Sequence, residues 1–307
     1  MQNILIFKIL SLAIIMGLGY VLVRFGPLTV QDSRSLSRLT VYLVMPCSIF
    51  SAFLMERTPQ VVMGLGLVLL AALLIHLGML ALGSLLRRPL RLSPVALSSV
   101  LYTNGGNLII PLVTAMLGPQ WVIYTSAYIF TMTVLTWTHG NRLIQDTGSI
   151  AWKALLTNPN IWALALGLVF FFTGLRLPSL LEDTERSLGT LVGPLSMLVT
   201  GMLLGAMPIR QALGSGHLWI TTALRLLVFP LLSLGLLKAL CLVFPMGAPY
   251  FLVTMLSASA PSAALITHIC QISGRDSGEA SAICVVTTVL CVITIPLMAQ
   301  LYQWACL

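Results

Sequence analysis

The sequence predicts an all-α membrane protein with ten transmembrane helices. These form two inverted five-helix repeats, in which helices 4 and 9 are broken. Three observations carry that expectation. Of 307 residues, 58% are hydrophobic and 8% charged, against about a quarter charged in a typical soluble domain. The apolar residues gather into ten runs, each close to the ~20 residues that a bilayer-spanning helix needs. The fourth and ninth runs are interrupted near their midpoints by Asn104–Asn107 and by Pro261.

Taken in order, helix 1 (near 3–24) contains Lys8 but runs past residue 20 with no small-residue cleavage site. It therefore reads as a span rather than a cleavable leader. Helix 2 (37–55) carries Pro46, Cys47 and Ser48, and helix 3 (60–86) is apolar apart from His76. Helix 4 (94–117) contains YTNGGNLIIP, and helix 5 (120–144) closes with His139 and Asn141. Helix 6 (159–176) is apolar, while helix 7 (188–207) carries Pro194, Ser196, Thr200 and a Gly201/Gly205 pair. Helix 8 (218–245) contains Arg225 and Pro230, helix 9 (250–272) contains SASAPS, and helix 10 covers 280–305. The longest polar connection lies near 177–187, and no segment reads as a soluble domain. The six cysteines fall mostly in apolar runs without a CxxC pair, so they read as small buried hydrophobes.

A net charge of +8 raises the question of a nucleic-acid partner. The basic residues sit singly or in small groups such as Arg87, Arg88 and Arg91, with no aromatic-interleaved stripe, so none is expected. Their distribution sets orientation instead. Connections after the odd-numbered helices hold Arg24, Arg34, Arg38, Arg87, Arg88, Arg91, Arg142, Lys153, Arg210 and Arg275. The opposite side holds Lys8, Arg57, Arg176, Arg186 and Lys238. By the positive-inside rule the odd connections are cytoplasmic and both termini lie outside. Glu182, Asp183 and Glu185 then face outward, as a solvated loop.

Pro46 and Pro194 lie 148 residues apart, and the two mid-span breaks recur at a similar spacing. This divides the chain into a first five-helix repeat over 1–150 and a second over 151–307. Five spans per repeat is an odd number, so the second must enter the membrane inverted, a design of secondary transporters.

The chemistry concentrates at the breaks. Asn104, Gly105, Gly106 and Asn107 interrupt helix 4, and Pro111 removes a further backbone hydrogen bond. Glycine in a helix interior costs roughly 1 kcal/mol, and proline about 3. Asn104, Asn107 and Pro111, at i, i+3 and i+7, would share one face of a regular helix. One reading is close helix packing with inter-helix amide bonds; the other is irregular backbone lining a cavity. In helix 9, Ser257, Ser259 and Ser262 surround Pro261. Two such breaks offer amide N–H donors and a positive dipole end without a buried full charge. That suits a carboxylate. Pro46, Cys47, Ser48 and Pro194 are second-tier candidates, for which helix kinking and packing is an equal alternative. His268, past the helix 9 break, is a proton-relay candidate, and His76 reads more simply as a packing residue. No Asp or Glu sits mid-membrane, which disfavours a carboxylate-based proton pump. No P-loop, HExxH, G-x-S-x-G or GxGxxG signature is present, so the expectation is not an enzyme.

The segments LTVYLVMPCSIFSAF, YTNGGNLIIPLV, LLTNPNIWALALGLVF, LVGPLSMLVTGMLLG and SASAPSAALITHICQISGRDSGEASAICVVTTVLCVITIPL occur in that order. Together they resemble the auxin efflux carrier family, which includes plant PIN-like carriers and bacterial malonate or malate permeases. The resemblance spans essentially the whole chain. It implies two inverted five-helix repeats, with helices 1, 2, 6 and 7 as a scaffold and helices 4 and 9 crossing at the substrate. It carries the family's helix 4 break onto Asn104, Gly105, Asn107 and Pro111, and its helix 9 break onto Ser259, Pro261 and Ser262. The polar helix 2 residues of plant members are replaced by Cys47 and Ser48, and their long cytoplasmic loop is absent at 145–158. A small carboxylate is therefore the expected substrate rather than auxin.

The sequence thus points to a secondary transporter of mono- or dicarboxylates in a bacterial inner membrane. A ligand sensor without transport is the alternative. Membrane lipid is the other partner expected, with room for a homodimer. No cofactor or metal is expected, and coupling to H+ or Na+ stays open.

Overall fold

A computed structural model describes residues 2–145, 152–206, 215–273, 275 and 277–307. Arg210 and the boundary near residue 150 lie outside the described residues, as do the side chains of Lys8, Asn107 and His268. The regular structure described is helical, apart from one isolated antiparallel bridge between Thr103 and Ser262.

Helices occupy every stretch that the sequence marks as apolar. In the first part of the chain they are α1 (Gln2–Arg24), α2 (Val30–Leu39), α3 (Met45–Ser51), α4 (Pro59–Arg87), α5 (Pro94–Leu101), α6 (Ile110–Leu117), α7 (Val122–Leu135) and α8 (Asn141–Gln145). There follow α9 (Trp152–Leu156), α10 (Pro159–Thr173), α11 (Ser179–Thr190) and α12 (Val192–Gly205). The last are α13 (Gly216–Ala223), α14 (Phe229–Val243), α15 (Ala248–Ala258), α16 (Ala264–Ile272) and α17 (Gly278–Cys306). Among the described residues, four helical stretches are long and apolar enough to cross a membrane: Pro59–Arg87, Ser179–Gly205, Gly216–Val243 and Gly278–Cys306. Large apolar side chains such as Leu73, Leu77, Ile293 and Trp304 are exposed on them, as are Trp162 and Phe172 on α10. Such a surface belongs in hydrocarbon, where the helix satisfies its own backbone. The chain is an integral membrane protein.

Wide, π-type turns cover Thr40–Val44, Gly105–Ile109 and Leu224–Val228, and a proline follows each of them two residues later: Pro46, Pro111 and Pro230. The cause is local. A proline has no N–H for the ladder, and its ring displaces the carbonyl four residues back, which falls inside the widened turn each time.

The expected connection at 177–187 is largely helix. Pro178 precedes α11, whose carbonyl accepts from the N–H groups of Leu181 and Glu182, and the polar SLLEDTERS turns lead into the apolar stretch from 188 onward. Those first turns, with their four charged residues, stay outside that apolar stretch.

Contacts divide the chain into two compact units. The first comprises Met1–Met63, Gly106–Ser126 and Leu156–Pro208, and includes the helices that the resemblance assigns to a scaffold. Within it, α1 and α12 approach so closely that a Cβ on Gly201 would overlap the Met16 carbonyl. One on Gly205 would stand 2.8 Å from the Tyr20 carbonyl oxygen. The Gly201/Gly205 pair is therefore a packing device, in which small residues let backbones meet. Elsewhere in the unit, α3 and the turn after it pack on α10 through edge-to-face Phe50–Phe170 and Phe53–Phe171 pairs with centroids 5.2 and 6.4 Å apart.

The second unit comprises Gly64–Gly105, Ala127–Leu155 and Ile209–Leu307. Here α17 packs against α5, α13, α14, α15 and α16. The Tyr302 hydroxyl donates to the Ala248 carbonyl across 2.6 Å. Three helix N-termini meet where Ser93 donates to Glu279 at 2.6 Å and His217 lies 3.8 Å from the same carboxylate. A carboxylate is favoured at such ends by the helix dipole.

Candidate functional site

The two predicted breaks meet inside the second unit. Helix α5 is started by Ser93, whose Oγ accepts from the Ala96 N–H at 2.9 Å, and it stops at Tyr102, which turns to extended backbone. Helix α15 stops at Ser259, two residues before Pro261. The extended stretches lie antiparallel. The Asn104 N–H donates to the Pro261 carbonyl at 2.8 Å, and the Ala263 N–H donates to the Tyr102 carbonyl at 3.0 Å. Proline suits this place because it lacks the N–H needed to extend α15 while keeping a carbonyl for the bridge.

This geometry corrects two expectations. Asn104 stands in extended backbone, so it does not share a regular helical face with Asn107 and Pro111. Amides expected to face a substrate after the helix 9 break are also occupied: Ala263 as above, and Ser262 through its N–H to the Thr287 hydroxyl at 3.1 Å. Buried backbone donors find partners, and the bridge supplies the nearest ones.

Side chains at the crossing remain available. Asn104 is buried, and among the described residues its carboxamide has no hydrogen-bond partner. Ser262 is fully buried with an unpartnered hydroxyl, as are Ser98 and Ser99 on α5 and Thr254 on α15. Ser259 instead returns its hydroxyl to the Met255 carbonyl at 2.8 Å. Around them, Thr103 donates to the Met132 sulfur at 3.2 Å, and the Tyr102 hydroxyl lies 3.1 Å from the Leu135 carbonyl and 2.8 Å from His139 Nδ1.

Arg225 is the residue that the site reading missed. Its side chain is 0% exposed. The guanidinium donates to the Val100 carbonyl at 2.7 Å and to the Ala258 carbonyl, joining the last turns of α5 and α15. Helix C-termini carry partial negative charge, so a planar cation suits both at once. Among the described residues no carboxylate lies within ion-pair distance of it, and its Nε–H has no partner. The expectation of a crossing without a buried full charge is therefore overturned. The signal was present in the sequence, since an ionisable residue inside a span is a functional candidate by default. His76 binds the Ala72 carbonyl through Nδ1 at 2.7 Å and packs against Tyr128 with ring centroids 4.9 Å apart and planes tilted by 45°.

Most of the remaining candidates fall in the first unit; Gly105 and His268 belong to the second. Gly105 belongs with Asn104, whereas Gly106 and the turn through Asn107 to Pro111 belong to the other body. Gly106 faces Met45, and a Cβ on Gly193 would touch the Pro111 ring at 3.4 Å, beside Pro194. Pro46 and Cys47 are half-buried on α3, and Ser48 is buried with its Cα where a Cβ of Gly189 would be only 3.2 Å away. These contacts make α3 and α12 close-packed elements. The backbone of His268 lies on α16.

A family description for membrane transport proteins, the auxin efflux carrier type, matches residues 4–151 and again 146–299. The chain belongs to the auxin efflux carrier family. A curated relative from Methanothermobacter thermautotrophicus, described as an uncharacterized transporter, is 27% identical over 303 residues, covering 94% of this chain and 95% of its own. This family member thus has its two helix breaks joined by backbone hydrogen bonds and underpinned by one buried arginine.

Proposed function

We propose that the protein is a secondary transporter that moves small organic anions, mono- or dicarboxylates, by alternating access. Membership of a transport family supports transport, and the name of the archaeal relative agrees with it. The tandem family match supports an origin in two five-helix repeats. The observation that carries the choice of anion is Arg225. A buried cation with no carboxylate partner among the described residues is costly, and the two carbonyls that receive it are only partial charges. An anionic substrate at the crossing completes the neutralisation. Asn104 and Ser262 supply neutral hydrogen bonds that fix its orientation without holding it too tightly for release. Expelling an anion from a negative-inside cell is favoured by about 2.3 kcal/mol per charge per 100 mV, so export needs no ATP. The Lys and Arg asymmetry supports a bacterial inner membrane with both termini outside.

The test is flux of labelled mono- and dicarboxylates in proteoliposomes, wild type against Asn104→Ala and Asn107→Ala. Loss of one hydrogen bond to a charged group, about 1.5–3 kcal/mol, corresponds to roughly 10- to 100-fold weaker apparent affinity. Equal fluxes would remove these amides from the site. Transport of organic cations in preference to carboxylates would overturn the anion assignment.

A further inference from the structure

Glu185 does not behave as a member of a solvated acidic loop. On α11, Glu182 pairs with Arg186 at 2.8 Å, and Asp183 is exposed. Glu185 turns inward onto α3. Both of its carboxylate oxygens are shielded from solvent, and neither has a hydrogen-bond partner among the described residues. One turn further along, Gly189 is the point where the α11 backbone meets Ser48 of α3. The carboxyl is thus held one turn from the closest contact of two helices, in the first compact unit.

The groups around it offer no stable counter-charge. Helix α3 presents the Cys47 thiol and the hydroxyl and amide of Ser51, which approach without closing a hydrogen bond to either oxygen. Helices α10 and α12 carry no titratable side chain, and Tyr42, in the wide turn before α3, is largely exposed. On α11 itself, Arg186 is taken by Glu182, leaving its attraction and the repulsion of Glu182 to oppose each other. Taking an unpaired carboxylate out of water is expensive, and a neutral carboxylic acid avoids that cost.

We propose that Glu185 is a proton-binding residue of this carrier, and that occupancy of this site by a proton is coupled to transport. The inference rests on the transporter reading and names H+ as the coupling ion. Desolvation is the main influence on this acid and pushes it up to about 7, with the Ser51 hydroxyl and amide pulling weakly the other way. Protonated, Glu185 lets α11 close on α3. Ionised, it draws water into that contact. Helix α3 is a responsive partner, because it follows the wide turn Thr40–Val44 and contains Pro46 at its start, a combination that weakens the ladder there.

Two measurements on the full-length protein test this. Infrared difference titration should show a protonated-carboxyl C=O band that disappears with a midpoint near 7 and is absent in Glu185→Gln. Carboxylate flux in proteoliposomes should change several-fold across the same pH range in wild type and in the exposed-site control Asp183→Asn, and lose that step in Glu185→Gln. No such band, or a Glu185→Gln profile that matches wild type, overturns the proton site. A titrating band with no flux of any carboxylate at any pH instead overturns the transporter reading, and the coupling with it. Glu185→Asp, which keeps an acid, should retain a step at a displaced midpoint and guards against a folding defect in the glutamine variant.

Discussion

The backbone N–H of Asn104 donates to the carbonyl of Pro261 across 2.8 Å. This single bond joins the break in one apolar helix to the break in another far along the chain. Its companion, Ala263 N–H to Tyr102 carbonyl at 3.0 Å, makes the junction a two-bond ladder. Pro261→Ala restores an amide that can extend α15 and draw residue 261 into the helix. The two bridging bonds are worth about 1 kcal/mol each. We expect a lower melting temperature and loss of carboxylate flux with membrane insertion intact, read by thermal unfolding and proteoliposome assay.

Arg225 gives a second expectation. Arg225→Met strands the Val100 and Ala258 carbonyls, at about 1–3 kcal/mol per buried unsatisfied group, and removes the cation. Arg225→Lys keeps the charge but cannot bridge two carbonyls with a rigid fork. Carboxylate-induced thermal shifts should therefore vanish in the methionine variant and persist, weakened, in the lysine variant. A methionine variant that binds carboxylates like wild type would show that Arg225 only braces the helices.

The glycines of α1 and α12 differ in their tolerance. Gly201→Ala places a methyl group onto the Met16 carbonyl and should destabilise by about 1–3 kcal/mol through overpacking. Gly17, which has nothing within 4 Å of an added Cβ, should accept alanine with unchanged or slightly raised stability, since alanine is the better helix former. Chemical denaturation of the two variants side by side checks the contrast.

The pH dependence of stability follows from Glu185. Its carboxyl is raised from an ordinary value of 4.5 to about 7 in the folded protein. At low pH it is protonated whether folded or unfolded, and imposes no penalty. As pH climbs from about 4.5 towards 7, the unfolded chain releases this proton and the folded chain resists, so the contribution to stability falls and then levels off. Melting temperature against pH should show that decline in wild type and lose it in Glu185→Gln. A decline unchanged in the variant would assign it to another group.

The sequence by itself determined the helical membrane class, the positions of the apolar stretches and the two breaks. All of these depend on local backbone physics: apolar run length, glycine entropy, and the missing N–H and bulky ring of proline. Even the widened turns before Pro46, Pro111 and Pro230 follow from that ring. The tertiary structure alone decided which groups those breaks leave available. Local spacing says that amides near Pro261 lose their helical partners, but only the approach of Tyr102 and Thr287 shows that two of them are taken. Arg225 was visible as a charge in a span, yet its two carbonyls come from α5 and α15, and nothing in LRLLV specifies them. Glu185 sits among acidic neighbours that are exposed or paired, and it differs from them through the face of α11 that α3 covers. Hydrogen bonds, burial and charge pairing belong to the partner as much as to the residue, and distant parts of the chain become partners only when it folds.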